Sequence, residues 1–587
     1  MTETGYPAGS TNPRMNSKGN PGSPAHRHPS PRQRFFGILR PERRDIEVLL
    51  LFSLMNGVLL IAQPMAVDAV VNNIAFGGEQ KVFLQALILI AIALGMFLGV
   101  SALMRGTQAY VMETIERRLF VRMAADLSYR LPHCRIGDFE RSLGPEMINR
   151  FFEVVTLQKL SSTLLLEGVN VALSTVIGLV VLSFYHPYLL AFSLTLILCL
   201  VAILGPLGHN GVKTSIEKSY AKHAVVDWLE QLARYPTLFK GTGAAEFACR
   251  KADALSQDYL LKRERHFSIL LRQIIGLLSL QAVASGAMLT LGTFLVLRGE
   301  LTLGQLVASE LILTAIVDSI AKLSKQLAAW YDALASSDKL GHLVDLPVEP
   351  ERQTAQSQRV GPAVVEGRHI GFTYPDSTPL FHDLSFRFPA GSRVAMVSAA
   401  GYGSSTLLDL IFALRPIDQG ELLVDGVDLR HWALDALRED VALVRGTEII
   451  SGTILENVSL GRANIGPTEV RSALEAVGLL TAVLNWPAGI DTPLVAGGRP
   501  LTSTQRVRLV LARAIVGRPR LLILDECLEG LDTASVEGLA PFLFAPGNPW
   551  TLILVTRDPD LIRRCDQVLR LGDVHGVMPT SNTPPSA

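Results

Sequence analysis

The sequence predicts two folds in series: an all-α membrane domain (six transmembrane helices with cytoplasmic extensions), then an α/β domain built on a phosphate-binding loop. Three observations predict it. Six apolar stretches, each long enough to cross a bilayer, fall between residues 46 and 323. From Val364 onward the pattern changes to short β-branched runs separated by helical ones, as in a sheet covered on both faces. The run 394–397 then passes through Ser398-Ala-Ala-Gly401-Tyr-Gly403-Ser404-Ser405-Thr406 into a helical segment. Strand, glycine-rich turn and helix follow one another in the GxxxxGK[ST] layout.

The bulk composition agrees. A chain of 587 residues exceeds one domain, and 18% charged residues with a mean hydropathy of +0.31 indicate a membrane portion. The 54 basic residues balance the 54 acidic ones, which argues against nucleic acid as a partner. Five cysteines show no CxxC pair and no metal spacing, so they read as free thiols.

Along the chain, residues 1–34 are rich in Pro, Ser, Gly and Asn and read as a disordered cytoplasmic tail without a cleavable signal. The stretch 32–44, around Phe35-Phe36-Gly-Ile-Leu39, fits either a basic interfacial segment or an ordinary linker. The expected spans are 46–71, 82–103, 160–184, 188–207, 267–297 and 303–323, within a membrane domain of 35–343. Connections alternate between short ones and two long ones, 104–159 and 208–266, dense in Lys and Arg. The positive-inside rule puts the long connections and both termini in the cytoplasm. Both long segments keep helical periodicity, so they read as protruding helices that turn at short crosswise pieces near 149–157 and 232–240. Glu310 and Asp318 lie inside the sixth span, about 80° apart around the helix. Both could line a cavity, and Asp318 could instead pair with Lys322 at i+4. Residues 344–361 read as a linker, 362–577 as the α/β domain and 578–587 as a second disordered tail.

Further landmarks follow in order: Gly371-Phe-Thr-Tyr374-Pro, Gly420-Glu-Leu-Leu-Val-Asp-Gly426, Ser451-Gly-Thr-Ile-Leu-Glu-Asn457, Leu501-Thr502-Ser503-Thr504-Gln505-Arg506, Leu521-Leu-Ile-Leu-Asp525-Glu526 and Leu531-Asp532. With these the chain resembles an ABC exporter half-transporter over residues 35–575, six membrane helices followed by one P-loop nucleotide-binding domain. The stretch Gly299-Glu-Leu-Thr-Leu-Gly-Gln-Leu-Val-Ala308 resembles the branch that secretes peptides or proteins. The resemblance implies ATP and Mg²⁺ as cofactors and pairing into a homodimer or heterodimer in the cell (inner) membrane. A periplasmic adaptor is a further partner open under it.

Site roles follow by matching positions. Tyr374 would stack on adenine, and Gly401 and Gly403 would let the backbone approach phosphate beside Ser404 and Thr406. Ser405 and Asp525 would hold Mg²⁺, and Glu526 would act as general base. Thr502 and Gln505 stand in the signature, and Asp532 in the turn after the acidic strand.

Four positions depart from the family pattern. Ser404 replaces the phosphate lysine, and Val444-Arg445-Gly446-Thr447 replaces V-x-Q with one residue missing, so the glutamine is lost. Thr502-Ser503-Thr504 replaces Ser-Gly-Gly, and Arg557 replaces the switch histidine. A charged hydrogen bond is worth about 1.5–3 kcal/mol, so loss of the lysine alone implies roughly ten- to a hundredfold weaker ATP binding. Arg557 is a candidate for partial charge replacement, Arg445 a weaker one; Arg557 could equally pair with Asp558 or Asp560. The functional expectation is an ATP-coupled exporter subunit with a weakened site. The alternatives are a non-hydrolysing scaffold or regulator and an ATP-gated conduction path.

Overall fold

The computed structural model describes residues 29–59, 61–75, 80–141, 149–350, 360–375, 377–399, 401–572 and 580–581. Residues 1–28 of the tail expected over 1–34, most of the C-terminal tail and half of the linker lie outside these. The chain divides into two compact units, 1–132 with 141–346, and 133–140 with 347–587.

The first unit is helical throughout. Among the described residues, five helices are long and apolar enough to cross a membrane: Pro31–Asn72, Leu84–Arg130, Asn149–Tyr185, Pro187–Leu204 and Ala244–Leu297. The sixth expected span is the first half of a 42-residue helix, Leu303–Val344, and is not one of the five. Its side chains are mostly turned inward: Ala308, Ile312, Leu313, Ile316, Val317 and Ile320 are all buried. Short connections have local causes. Pro187 occupies the first turn of its helix, capped by His186. Thr302 and Gln305 form a capping box at the start of Leu303–Val344.

The helix Gln80–Arg130 has 51 residues. It would extend about 75 Å, against about 30 Å of hydrocarbon, so a large part protrudes. Beyond the apolar stretch it becomes amphipathic. Met112, Ile115, Leu119, Met123 and Leu127 recur every three or four residues and are all buried. The last three pack with Phe35, Leu39, Val154, Leu157, Leu340 and Leu343.

That core includes the N-terminal segment, which is a helix from Pro31 to Leu39 rather than tail or loose linker. Its Arg34 does not face a membrane surface. It is 7% exposed and pairs with Asp338 at 3.0 Å and Asp345 at 2.7 Å. The first crosswise piece also differs from expectation. It is Ile136–Arg141, whereas 149–157 begins the returning helix. Pro132 is the reason: the residue before a proline is driven out of helical geometry, so the long helix stops at Arg130. The second piece falls as expected, Leu238–Lys240 following Pro236. Asp318 is exposed and makes no pair with Lys322 among the described residues. Glu310 keeps one carboxylate oxygen buried without a partner.

One buried polar cluster ties three helices of this unit together. Lys339, 1% exposed, donates to the carbonyl of Ser219 at 2.7 Å and contacts His223. Glu153 accepts from Ser336 at 2.6 Å and lies 3.2 Å from both Lys222 and His223.

In the second unit, a six-stranded sheet carries five parallel strands in the order Gln567–Leu571, Arg393–Ser398, Thr551–Val555, Leu521–Asp525 and Val441–Arg445. The short strand Thr580–Ser581, inside the expected second tail, pairs antiparallel with Gln567–Leu571 at one edge. The runs at 521–525 and 551–555 are buried at every residue, which explains their unbroken apolar sequence. A smaller antiparallel sheet orders Pro379–Phe388, Val365–Thr373, Gln419–Val424 and Val427–Asp428. The segment 133–140 belongs to this unit although it lies within the membrane half of the sequence. Arg135 donates to Pro347 at 3.1 Å, and Glu349 to His133 at 2.7 Å.

Burial pushes the pKa of Lys339 down from its ordinary 10.5 to about 7, against the opposing pull of Glu153. The unfolded chain therefore binds this proton more tightly between those values, and protonation there favours unfolding. Stability of the first unit is expected to rise as pH increases from about 7 toward 10.5. Lys339→Met should flatten that rise, as read from thermal melts in detergent.

Candidate nucleotide site of the second unit

The phosphate-binding loop is built as its sequence demands. The strand Arg393–Ser398 feeds a turn in which Gly401 and Gly403 both have φ +89°, followed by the helix Ser404–Ile411. A side chain at Gly403 would strike Leu380 and Phe381 at 2.8 Å, so the turn closes only with glycine there. The helix N-terminus leaves backbone N–H groups facing the turn. At the two substituted positions, the Ser398 hydroxyl donates to that of Ser404 at 3.1 Å. These hydroxyls close on each other across the turn.

Behind the loop, the Thr406 and Tyr374 hydroxyls lie 2.9 Å apart. The guanidinium of Arg415 sits over the Tyr374 ring at 5.1 Å, and Phe372 meets the ring edge-on at 5.0 Å. Arg415 also pairs with Asp409 at 3.0 Å and with Glu140 of the crosswise piece.

Ser405 and Asp525 come together, with the Ser405 hydroxyl 3.4 Å from Asp525 Oδ1. The group that binds Asp525 most closely is Arg445. Its Nε donates to Asp525 Oδ2 at 2.6 Å, Nη1 to Asp409 Oδ1 at 2.8 Å and Nη2 to the Ser405 carbonyl at 3.0 Å. Register dictates the first contact, because Arg445 is the direct parallel partner of Asp525 in the sheet. Helix geometry dictates the second: Asp409 follows Ser405 by four residues and shares its face. Both carboxylates are buried, Asp409 6% and Asp525 6% exposed. Burial alone would lower the Arg445 pKa, but hydrogen bonds and charge from Asp409 and Asp525 raise it, so the guanidinium stays cationic.

The remaining sequence-derived residues are placed as follows. Glu526 ends the strand Leu521–Asp525 at φ +52°, exposed, its carboxylate without a partner among the described residues. Thr502 caps the helix Ser503–Ile515, and its hydroxyl and the Gln505 amide bond each other's backbone at 3.3 and 2.9 Å. Ser503 accepts from Arg506 at 3.0 Å. Asp532 caps Thr533–Leu543, and its bonds to Ser535 hold its carboxyl below the usual range. Arg557 is exposed, and its guanidinium makes no ion pair among the described residues, neither with Asp558 nor with Asp560. Sequence reasoning gave Arg557 precedence over Arg445 and omitted Asp409 and Arg415. The available signal was that two apolar strands, 441–444 and 521–524, each end in a charge of opposite sign.

Residues 381–529 match the family described as ABC transporter, and residues 47–222 match the ABC transporter transmembrane region. The chain is an ABC exporter half-transporter, a transmembrane domain fused to an ATP-binding ABC domain. Among its relatives, an ATP-dependent lipid A-core flippase of Photobacterium profundum is 27% identical over 68% of this chain and 69% of its own length. One from Cupriavidus pinatubonensis is 24% identical over 92% of each chain. A fatty acid ABC transporter ATP-binding/permease protein of Mycobacterium bovis is 26% identical over 82% of this chain and 76% of its own. In fold, the chain is similar to a bacterial Atm1-family ABC exporter solved with ATP bound. That likeness has a TM-score of 0.77 at 20% identity and covers 90% and 93% of the two chains.

The ABC domain implies ATP, typically with Mg²⁺. Mg²⁺ requires oxygen ligands at about 2.1 Å in near-octahedral order. The Ser405 and Asp525 oxygens are the donors available here, and the Arg445 guanidinium, bonded to Asp525 Oδ2 and to the Ser405 carbonyl, sets a fixed positive charge beside both. Breaking a buried ion pair by removing one partner costs about 3–5 kcal/mol, and Arg445 is 39% exposed, which favours the lower figure. As arranged, the residues do not fit a bound Mg²⁺.

The Arg415–Glu140 pair predicts a local effect. Arg415→Ala is expected to raise amide hydrogen exchange over residues 133–140 while the strands 521–525 and 551–555 keep their protection. Unchanged exchange over 133–140 would show that the backbone bonds to 347–349 hold the segment alone.

Proposed function

We propose that the chain works as one half of a dimeric exporter in the inner membrane, with both termini cytoplasmic, binding ATP weakly and hydrolysing it slowly. The observation that carries this reading is the phosphate loop. Its glycine-dependent backbone and helix N-terminus are kept, while the position of the phosphate-directed charge holds a serine bonded to Ser398. Catalysis of phosphoryl transfer rests on stabilising charge on the transferring group, so losing that charge lowers rate more than binding. Tyr374, Gly401, Gly403 and Thr406 remain available to hold the nucleotide, and Glu526 to orient or deprotonate water. Thr502, Gln505 and Asp532 would face the site across the dimer.

The two relatives named for lipid A-core export and the one named for fatty acid transport support an amphiphilic substrate over a secreted peptide. The buried, unpartnered oxygen of Glu310 supports a polar contact along the path. The second reading, a non-hydrolysing scaffold or regulatory half, is favoured by one observation: Arg445 holds the carboxylate on which metal-dependent hydrolysis would depend.

Ser404→Lys tests the choice. Under slow hydrolysis it is expected to tighten binding of a fluorescent ATP analogue by roughly ten- to a hundredfold and to raise ATPase in proteoliposomes. Tighter binding with no gain in ATPase would select the non-hydrolysing reading.

A further inference from the structure

We propose that Arg445 is a built-in cation that takes the place of Mg²⁺, so that this site binds nucleoside triphosphate without a divalent metal. The inference rests on the reading above that the site binds nucleotide at all.

Three features carry it. First, the position is fixed by the fold rather than by a flexible side chain finding a partner. Arg445 and Asp525 are direct neighbours in a parallel pair of strands, and Arg445 is the last residue of its strand. Second, the guanidinium has three separate anchors: Asp525, Asp409 and the Ser405 carbonyl. Releasing Asp525 to a metal would leave Arg445 tethered to Asp409, one helical turn from Ser405. A dication there would face a like charge within a few ångströms. Third, the guanidinium is not used up. Three of its five N–H groups are engaged and two remain. Those two can donate to phosphate oxygens in the forked manner that suits arginine. Asp409 also accepts from Arg415, which pairs in turn with Glu140, so the two arginines and three carboxylates form one connected cluster.

Under this proposal the charge that lysine and metal supply together elsewhere comes here from one side chain. It is present at all times and insensitive to free Mg²⁺.

The test uses the purified full-length protein in nanodiscs and titrates a fluorescent ATP analogue in excess Mg²⁺ and in excess EDTA. Wild type is expected to bind with affinities within about twofold of each other in the two media. Arg445→Gln is expected to lose at least about tenfold in EDTA and to regain most of it when Mg²⁺ is restored. Arg445→Lys should keep metal-independent binding in part, since the charge remains but the fork is lost. Wild-type binding that falls at least about tenfold in EDTA would overturn the proposal and leave the nucleotide-binding reading intact. Absence of binding in both media would overturn that reading, and the proposal with it. Equal binding by wild type and Arg445→Gln in EDTA would also overturn the proposal, since the arginine would then contribute nothing.

Discussion

Two buried carboxylates, Asp409 on the phosphate-loop helix and Asp525 beside its first turn, need a counter-charge. Burying such groups unpaired is prohibitive, so whatever cation answers them decides the character of the site. Here the answer comes from within the chain. The strand Val441–Arg445 runs parallel to Leu521–Asp525 and ends in the arginine that pairs with both. Arg415 then completes the cluster and reaches from it to the Tyr374 ring and to Glu140. One electrostatic requirement thereby links the phosphate loop, the aromatic platform and the crosswise piece of chain that joins this unit from the membrane half.

The substitutions around the loop are consistent with one another. Ser398 and Ser404 satisfy each other, so the smaller side chains leave no stranded hydroxyl. Thr502 and Gln505 close a capping box at the head of their helix. These departures are locally satisfied, which describes a structure that is stable with these residues rather than a damaged one. The acidic strand and its following glutamate keep their geometry, Glu526 in a left-handed turn just beyond the sheet.

Much of this was legible in the sequence, for reasons that can be named. Helices in lipid must satisfy their own backbone and face hydrocarbon, so their apolar runs are long and plain. Parallel strands covered on both faces give short unbroken runs, and the expected run 394–397 lies in the central sheet. What escaped was set by position in space. The turn at 136–141 hangs on Pro132, a single residue outweighed by the helical pattern around it. Arg34 sits in a stretch whose sequence fits either an interfacial segment or a linker, because its partners, Asp338 and Asp345, lie some three hundred residues away in sequence. Arg445 ranked below Arg557 because family position pointed to the switch histidine, whereas strand register decides which arginine meets Asp525. The capping box at Thr502 was readable as Thr-x-x-Gln, but its place in the signature drew attention to the nucleotide instead.

Arg445 and Asp525 are coupled strongly enough to define the site. A double-mutant cycle with Arg445→Met and Asp525→Asn, followed by denaturant unfolding of the second unit in the full-length protein, measures this directly. The account predicts a coupling energy of about 1.5 kcal/mol or more between the two positions. Additive effects within roughly 0.5 kcal/mol would contradict it, and the guanidinium would then be only a neighbour of the carboxylate.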